Sequence, residues 1–395
     1  MARQTAININ TIPIGPLGII GMPGCEELTD KIDKYLVKWR KTQAIEHAES
    51  IAFFGYQRDS YKIDITIPRF GSGEGKGVIN ESVRGYDIYI VCDVFNYSCT
   101  YNMYGKEVCM SPDDHFADLK RVISALCSKP KRVSVIMPML YEGRQHKRSS
   151  RESLDCAMAL KELVHLGVEN IITFDAHDPR VQNAIPLSGF ETVRPTYQFV
   201  KGLLDRYDDL IIDSDHMMAI SPDEGATGRA IYFANVLGLD MGMFYKRRDY
   251  TTIVDGRNPI VAHEFLGSSV EGKDVIILDD MISSGDSILD VARQLKMRKA
   301  KRIYAAATFG LFTNGMEKFD QAYEEGLING ILTTNLIYQT PELLSRPYYI
   351  NCDMSKYIAL VIDTLNHDAS ISSILDPSER IQNVVEKYKK GEAID

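Results

Sequence analysis

"DVIILDDMISSGDSILD", residues 274–290, is the stretch on which the fold turns. Val275 to Leu278 form an apolar, mostly β-branched run, the composition of a strand buried on both faces of a sheet. Two adjacent carboxylates, Asp279 and Asp280, close the run; Ser283, Ser284, Gly285 and Ser287 follow, and then a segment with apolar residues at helical spacing. Strand, acidic turn and helix in that order describe one unit of a parallel α/β sheet, where ligands gather beyond the carboxyl ends of the strands. Paired carboxylates there can accept hydrogen bonds from vicinal hydroxyls or hold Mg²⁺ through water. Consecutive backbone N–H groups and hydroxyls at a helix N-terminus suit a phosphate dianion, so the two halves together spell a sugar phosphate. Asp and Ser are also preferred caps of strand-to-helix turns, and the stretch alone leaves a sugar-phosphate site and a plain capped turn both open.

Outward from it, similar apolar runs recur: "YDIYIVCDV" (86–94), "RVSVIMPML" (132–140), "NIITFDAH" (170–177), "DLIIDSDH" (209–216), "RIYAAATFG" (302–310) and "GILTTNLI" (330–337), with shorter candidates at "GIIGM" and "DITIPRF". Between them lie amphipathic stretches such as "DHFADLKRVISALCS" and "RESLDCAMALKELVHLG", the second stopped by Gly167. The alternation predicts an α/β protein with two mainly parallel sheets flanked by helices. The Pro- and Gly-containing "NAIPLSGFETVRPTYQ" (183–198) divides it into an N-terminal domain, 1–192, and a C-terminal domain, 193–395. The charged end "DPSERIQNVVEKYKKGEAID" reads as a solvated helix or tail.

A chain of 395 residues, 45% hydrophobic and 25% charged, can bury the cores of two such domains. Its formal net charge of −9 opposes a polyanion, so a general nucleic-acid role is disfavoured; the basic patches "EGRQHKRSSRE" and "YKRRD" are short and suit a compact phosphorylated ligand. Seven cysteines without metal-like spacing argue for free thiols in a reducing compartment such as the cytoplasm. The N-terminus, interrupted by Asn, Pro and Gly, lacks an apolar core of signal-peptide quality, and no window reaches the roughly 18 apolar residues of a membrane span.

"VIILDDMISSGDSILD" resembles the phosphoribosyl-diphosphate (PRPP) binding loop of type I phosphoribosyltransferases and of their relatives, the ribose-phosphate diphosphokinases or PRPP synthetases. Other segments resemble the synthetases, in the synthetase order. "RFGSGEGKGVINESVRGYDIYIV" is similar to their adenine-side segment, "MPMLYEGRQHKRSSRES" to their Arg-Gln and basic loop, and "ITFDAHDPRVQ" to a strand ending in Asp-x-His. "ISPDEGA" is similar to a Pro-Asp-x-Gly turn and "FYKRRD" to the catalytic flexible loop. The likeness runs from about residue 15 to about residue 365, and six motifs in register make it specific.

The resemblance implies two phosphoribosyltransferase-like domains, an ATP side and a ribose 5-phosphate side, with the C-terminal helix packing back on the N-terminal domain. It implies a Mg²⁺-dependent transfer of the diphosphoryl group of ATP to the anomeric hydroxyl of ribose 5-phosphate, a transferase and kinase step of nucleotide biosynthesis giving PRPP and AMP. Lys246 and Arg248 match the catalytic pair, and His177 and Asp223 the metal-contacting positions. Arg144 and Gln145 match ATP-binding positions. Phe70 and Glu74 look like adenine contacts given by a neighbouring subunit, which implies a homo-oligomer built from dimers, up to a hexamer. Asp279 and Asp280 would read the ribose hydroxyls, and Ser283, Ser284, Gly285 and Ser287 would cradle the 5-phosphate.

The chain departs from the family pattern at Ser283, usually Asp; at Asp286, usually Gly; at Ser72, commonly Asp; and at Ala226, usually a second Gly. It is also longer at the N-terminus, across "NYSCTYNMYGKEVCMSPDDH" (96–115) and at the C-terminus. An inward Asp286 would repel a phosphate, so its carboxylate is expected to face out or cap the helix. Two other readings stay open: a catalytically silent regulatory or scaffold relative, which the altered loops could signal, and a phosphoribosyltransferase, which "SSG" favours. Lys246, Arg248, His177 and Asp223 argue against the first, and two sheets and the Arg-Gln segment against the second.

Overall fold

A computed structural model describes residues 11–43, 53, 55–248 and 260–394, with the backbone alone at 246–248 and 260–263. In chain order the elements are β1 (Leu17–Gly21), α1 (Glu26–Thr42), β2 (Ile65–Thr66), β3 (Val78–Ile79), β4 (Asp87–Val91), β5 (Thr100–Met103), β6 (Lys106–Cys109), α2 (Pro112–Ala125), β7 (Arg132–Ile136), α3 (Asp155–His165), β8 (Asn170–Phe174) and β9 (Gly189–Val193). They continue with α4 (Thr196–Arg206), β10 (Met217–Ser221), α5 (Thr227–Leu237), β11 (Asp240–Arg248), β12 (Ile260–Leu266), β13 (Asp274–Ile282), α6 (Asp286–Met297), β14 (Ile303–Gly310), α7 (Glu317–Glu324) and β15 (Gly330–Thr334). The chain closes with α8 (Pro341–Leu344), β16 (Tyr349–Cys352), α9 (Ser355–Asn366), α10 (Ser372–Leu375) and α11 (Ser378–Lys389).

The chain forms two compact units. Unit 1 holds residues 1–194 with two short returns, 335–338 and 353–376; unit 2 holds 195–334, 339–352 and 377–395. In unit 1 the five-stranded sheet runs β1-β4-β7-β8-β9 and every pairing in it is parallel. Its inner strands are β-branched and buried, as a sheet covered on both faces requires. The helix α2 starts at Ser111, whose hydroxyl accepts from the Asp114 N–H while the Asp114 carboxylate accepts from the Ser111 N–H; Pro112 at the first helical position needs no donor.

The returning α9 packs on α1, and that contact carries the unit's charged core. The guanidinium of Arg40 donates to Asp363 at 2.6 Å and to Asn366 at 2.8 Å, and lies over the Tyr56 ring. Where the paired strands β4 and β7 begin, Arg132 donates through two nitrogens to the two oxygens of Asp87, each at 2.8 Å, and to the Leu365 carbonyl.

Unit 2 is built on a seven-stranded sheet in the order β12-β11-β10-β13-β14-β15-β16, parallel except for the β11–β12 pair at one edge. Two apolar layers cover its faces, one under α6 and α7 and one under α4, α5 and α11. Both units are thus mainly parallel sheets flanked by helices.

Some expectations change here. "DLIIDSDH" (209–216) is no strand: one oxygen of Asp213 accepts the N–H groups of Asp215 and His216, which turns the chain, and β10 begins only at Met217. The apolar Leu210 and Ile212 in that run are buried as core packing nonetheless. "FYKRRD" is not wholly a loop, since Phe244 to Arg248 continue β11, Lys246 opposite His263 and Arg248 opposite Ile260. The charged C-terminal helix α11 is not simply solvated: Ile381, Val384 and Val385 are buried, and the Tyr388 hydroxyl donates to the Tyr207 carbonyl. Among the described residues no helix is long and apolar enough to cross a membrane.

Candidate active site

Unit 2 gathers its candidate residues at the carboxyl ends of three neighbouring strands, β11, β10 and β13. β13 runs two residues beyond Asp280, so the paired carboxylates sit on the last part of the strand. Asp279 is half-buried and Asp280 is 4% exposed. The Asp280 N–H donates to Asp279 Oδ1 at 2.9 Å. Burial first, and the neighbouring charge of Asp280 next, hold the Asp279 carboxyl well above the ordinary carboxylate range. Arg229, on the first turn of α5, places its Nη2 3.9 Å from Asp280 Oδ2.

Asp223 follows β10 in a turn that its own side chain closes: Oδ1 accepts the N–H of Gly225 at 2.9 Å and of Ala226 at 3.3 Å. Ala226 is buried at the N-cap of α5. Asp223 is close enough to Asp279 to add to the upward push on its pKa. The three carboxylates therefore form one acidic cluster. Lys246 and Arg248 continue β11, the strand beside β10; the side chains of both lie outside the described residues.

The loop after β13 leads straight into α6. Gly285, its N-cap, has φ +82°, and a Cβ there would lie 2.1 Å from the Phe319 ring. Both the backbone conformation and the space demand glycine. Ser283 and Ser284 are half-buried and Ser287 is exposed. The Ser283 carbonyl accepts the Thr313 N–H at 3.0 Å, which fixes the loop from the β14 side. Asp286 turns outward: Lys318 donates to one carboxylate oxygen at 2.5 Å and the Ser284 hydroxyl to the other at 3.0 Å. Those contacts, led by Lys318, hold its pKa below the usual value.

In unit 1, Arg144 and Gln145 lie exposed in the loop after β7, and His177 follows the adjacent β8. The His146 and His177 rings are 5.2 Å apart, so the two loops meet. His146 Nε2 is 3.6 Å from Asp178, whose carboxylate Arg180 clamps and whose pKa falls to about 2 chiefly through that clamp. Asp175, two residues before His177, has φ +41°, a strained conformation of the kind found where a site over-determines the backbone.

Phe70 and Glu74 form a separate tight loop. The Phe70 N–H donates to the Glu74 carbonyl at 2.8 Å, the Gly73 N–H to the Phe70 carbonyl at 2.8 Å, and the Ser72 hydroxyl to Glu74 Oε2 at 2.8 Å. Ser72 thus orients Glu74. Sequence reasoning missed Arg229, Phe319 and Lys318, which act on the site from α5 and α7. Of these only Arg229 carried a signal, lying six residues after Asp223 on the same turn and helix.

A model of the N-terminal domain of ribose phosphate pyrophosphokinase matches residues 17–167, and a model of the phosphoribosyl synthetase-associated domain matches residues 253–376. The ribose-phosphate pyrophosphokinase of Vibrio parahaemolyticus is 25% identical over 317 residues, 79% of this chain and 91% of the relative. That of Aquifex aeolicus is 28% identical over 253 residues, 63% of this chain and 72% of the relative. The crystal structure of phosphoribosylpyrophosphate synthetase from Mycobacterium smegmatis superposes with a TM-score of 0.70 at 21% identity, covering 89% of this chain and 99% of that one. At that identity the likeness speaks for the fold, a pair of phosphoribosyltransferase-like domains.

Proposed function

We propose that this chain, which belongs to the ribose-phosphate diphosphokinase family, transfers the diphosphoryl group of ATP to the anomeric hydroxyl of ribose 5-phosphate. The observation that carries the reading is the β13–α6 turn. Two carboxylates stand directly before a loop whose Gly285 is held in a left-handed conformation against Phe319, the loop opening onto a helix N-terminus. Asp279 and Asp280 accept hydrogen bonds from the vicinal ribose hydroxyls, and the loop from Ser283 to Ser287 receives the 5-phosphate. Asp286 does not oppose that phosphate, because Lys318 and Ser284 engage its carboxylate.

In the transfer the anomeric oxygen forms a bond to the β-phosphorus while the bond from that phosphorus to the α–β bridging oxygen breaks, and AMP leaves. Such steps depend on alignment and on stabilising charge on the transferring group, and Lys246 and Arg248 supply that charge. Arg144 and Gln145 bind the nucleotide, and Phe70 and Glu74 contact adenine in a neighbouring subunit of a homo-oligomer.

Mg²⁺ usually binds phosphate sites through few carboxylates and several substrate oxygens and waters, a chemistry that Asp223 fits. Asp223 gives one oxygen to its own turn and would offer Oδ2 to the ion; in unit 1, separately, His177 is exposed beside His146. When bound, the ion neutralises phosphate charge. The seven free cysteines support a cytoplasmic location.

The test is incubation of the full chain with Mg²⁺, ATP and ribose 5-phosphate, following AMP and PRPP by chromatography. Equal amounts of both products are expected. Absence of both, with either substrate still binding, would make the chain a silent regulatory relative; PRPP consumption with an added base would make it a phosphoribosyltransferase.

A further inference from the structure

The stretch 96–115, one of those left over by the family pattern, folds into the hairpin β5–β6, and that hairpin is tied to the Phe70–Glu74 loop in three ways. The Tyr104 N–H donates to the Gly71 carbonyl at 2.8 Å. Met103 fills the space beside Gly73, whose φ is +95° and whose Cβ would lie 2.8 Å from the Met103 sulfur. Arg69, at the base of the loop, lies 4.5 Å over the Tyr101 ring, donates to the Gly73 carbonyl and pairs at 2.6 Å with the buried Asp118 of α2.

The hairpin tip is chemically odd. Met103 pairs with Lys106, and the two residues between them, Tyr104 and Gly105, have φ +50° and +75°, as a type I′ turn requires. Asn or Gly favours the first of these positions, and a bulky aromatic is strained there. Tyr104 gains no burial in return, being 81% exposed. Its neighbour across the Gly71 hydrogen bond, Phe70, is 58% exposed. Tyr104 and the residue next to its backbone partner Gly71 are thus both exposed aromatics, and an exposed ring can stack on a flat, π-faced ligand.

We propose that Tyr104 is a second base-contacting residue: with Phe70 it forms the aromatic surface that takes the adenine of ATP, and the hairpin holds the two in register. This rests on the assignment of ATP as the substrate. Tyr104 bears no charge and reaches no reacting atom in the proposed transfer, so its effect falls on nucleotide affinity and leaves the chemical step alone.

The experiment compares the wild-type chain with Tyr104→Asn and Tyr104→Phe, measuring kcat, KM for ATP, KM for ribose 5-phosphate and the thermal midpoint. Asn accommodates a positive φ better than Tyr, so Tyr104→Asn should melt no lower than wild type. It should raise KM for ATP about tenfold, with kcat and KM for ribose 5-phosphate within about twofold. Tyr104→Phe, which keeps the ring, should retain a KM for ATP close to wild type. A wild-type chain that turns over while Tyr104→Asn leaves KM for ATP unchanged overturns the role of Tyr104 alone. A wild-type chain that does not turn over ATP and ribose 5-phosphate overturns the substrate assignment, and this inference with it.

Discussion

In unit 1 the buried guanidinium of Arg40 meets the equally buried Asp363 at 2.6 Å, and Arg132 grips Asp87 through two nitrogens, with Tyr89 and Asn366 completing the carboxylate's partners. In unit 2, by contrast, Asp223, Asp279 and Asp280 crowd one another, with Arg229 3.9 Å from Asp280. The first cluster balances its charge within the chain and fastens α9 to α1. The second sets like charges side by side at the carboxyl ends of parallel strands, where burial and the charge of Asp280 raise the pKa of Asp279. Paired opposite charges hold the fold together, whereas crowded like charges that shift a pKa mark a candidate site.

That contrast breaks first at Asp363. Asp363→Ala leaves the Arg40 cation buried without its carboxylate, and removing one member of a buried pair costs about 3–5 kcal/mol. The expected result is a large drop in the urea midpoint of unfolding, with KM values of the remaining folded enzyme near those of wild type. An unchanged midpoint would mean that the paired cluster does not hold the fold. Lys246→Ala should do the reverse. Turnover should fall by about two to three powers of ten while ATP binding by calorimetry and the thermal midpoint stay close to wild type. Near-normal turnover would remove Lys246 from the catalytic machinery.

Gly285→Ala tests the ground between, because the loop of unit 2 serves fold and ligand alike. A methyl group there meets Phe319 at 2.1 Å and occupies a backbone with φ +82°. Strain and overpacking together should cost about 2–4 kcal/mol, and KM for ribose 5-phosphate should rise with little change in KM for ATP. The double variant Gly285→Ala with Phe319→Leu should recover part of the stability. A single variant as stable as wild type would show that the loop yields where the ring is expected to resist.

Much of this was legible in the chain because burial on both faces writes itself as an apolar run. "DVIILDD", "RIYAAATFG", "NIITFDAH" and "YDIYIVCDV" all contain strands, and the acidic turn lies where the first of them ends. Other strands were not legible, β9 at the edge of one sheet and β10 inside the other among them. β9, "GFETV", is half-buried along most of its length and sits inside a stretch whose Pro and Gly read as a linker. β10, "MMAIS", was hidden by the more apolar "DLII" upstream, which the Asp213 turn diverts from the sheet. The return of α9 to unit 1 has no local signature, since Arg40 and Asp363 are 323 residues apart in the chain. For the candidate site, the residues that lie on the two acidic turns could be read, whereas Phe319 and Lys318 act through space from a helix more than thirty residues away.

Asp93 gives the smallest and finest test of the contrast, because it is a buried carboxylate of unit 1 that pairs with no cation among the described residues. Its oxygens accept the N–H groups of Phe95 and Tyr338, at 2.9 and 2.7 Å. Burial outweighs those hydrogen bonds and pushes its pKa up to about 7. With the folded value above the unfolded one, the protonated group favours the folded state. That contribution is complete below about pH 4 and is lost as pH rises through 7. Stability should therefore fall by about 1–2 kcal/mol between pH 5.5 and 7 on this account, read as a lower urea midpoint. Asp93→Asn cannot titrate. Its absolute stability should be lower, because the amide nitrogen faces a backbone N–H, but this part of the pH slope should vanish. If the slope persists in Asp93→Asn, the two backbone donors suffice to keep Asp93 ionised. Unit 1 would then satisfy even its cation-free carboxylate from within, and the difference from the acidic cluster of unit 2 would be sharper still.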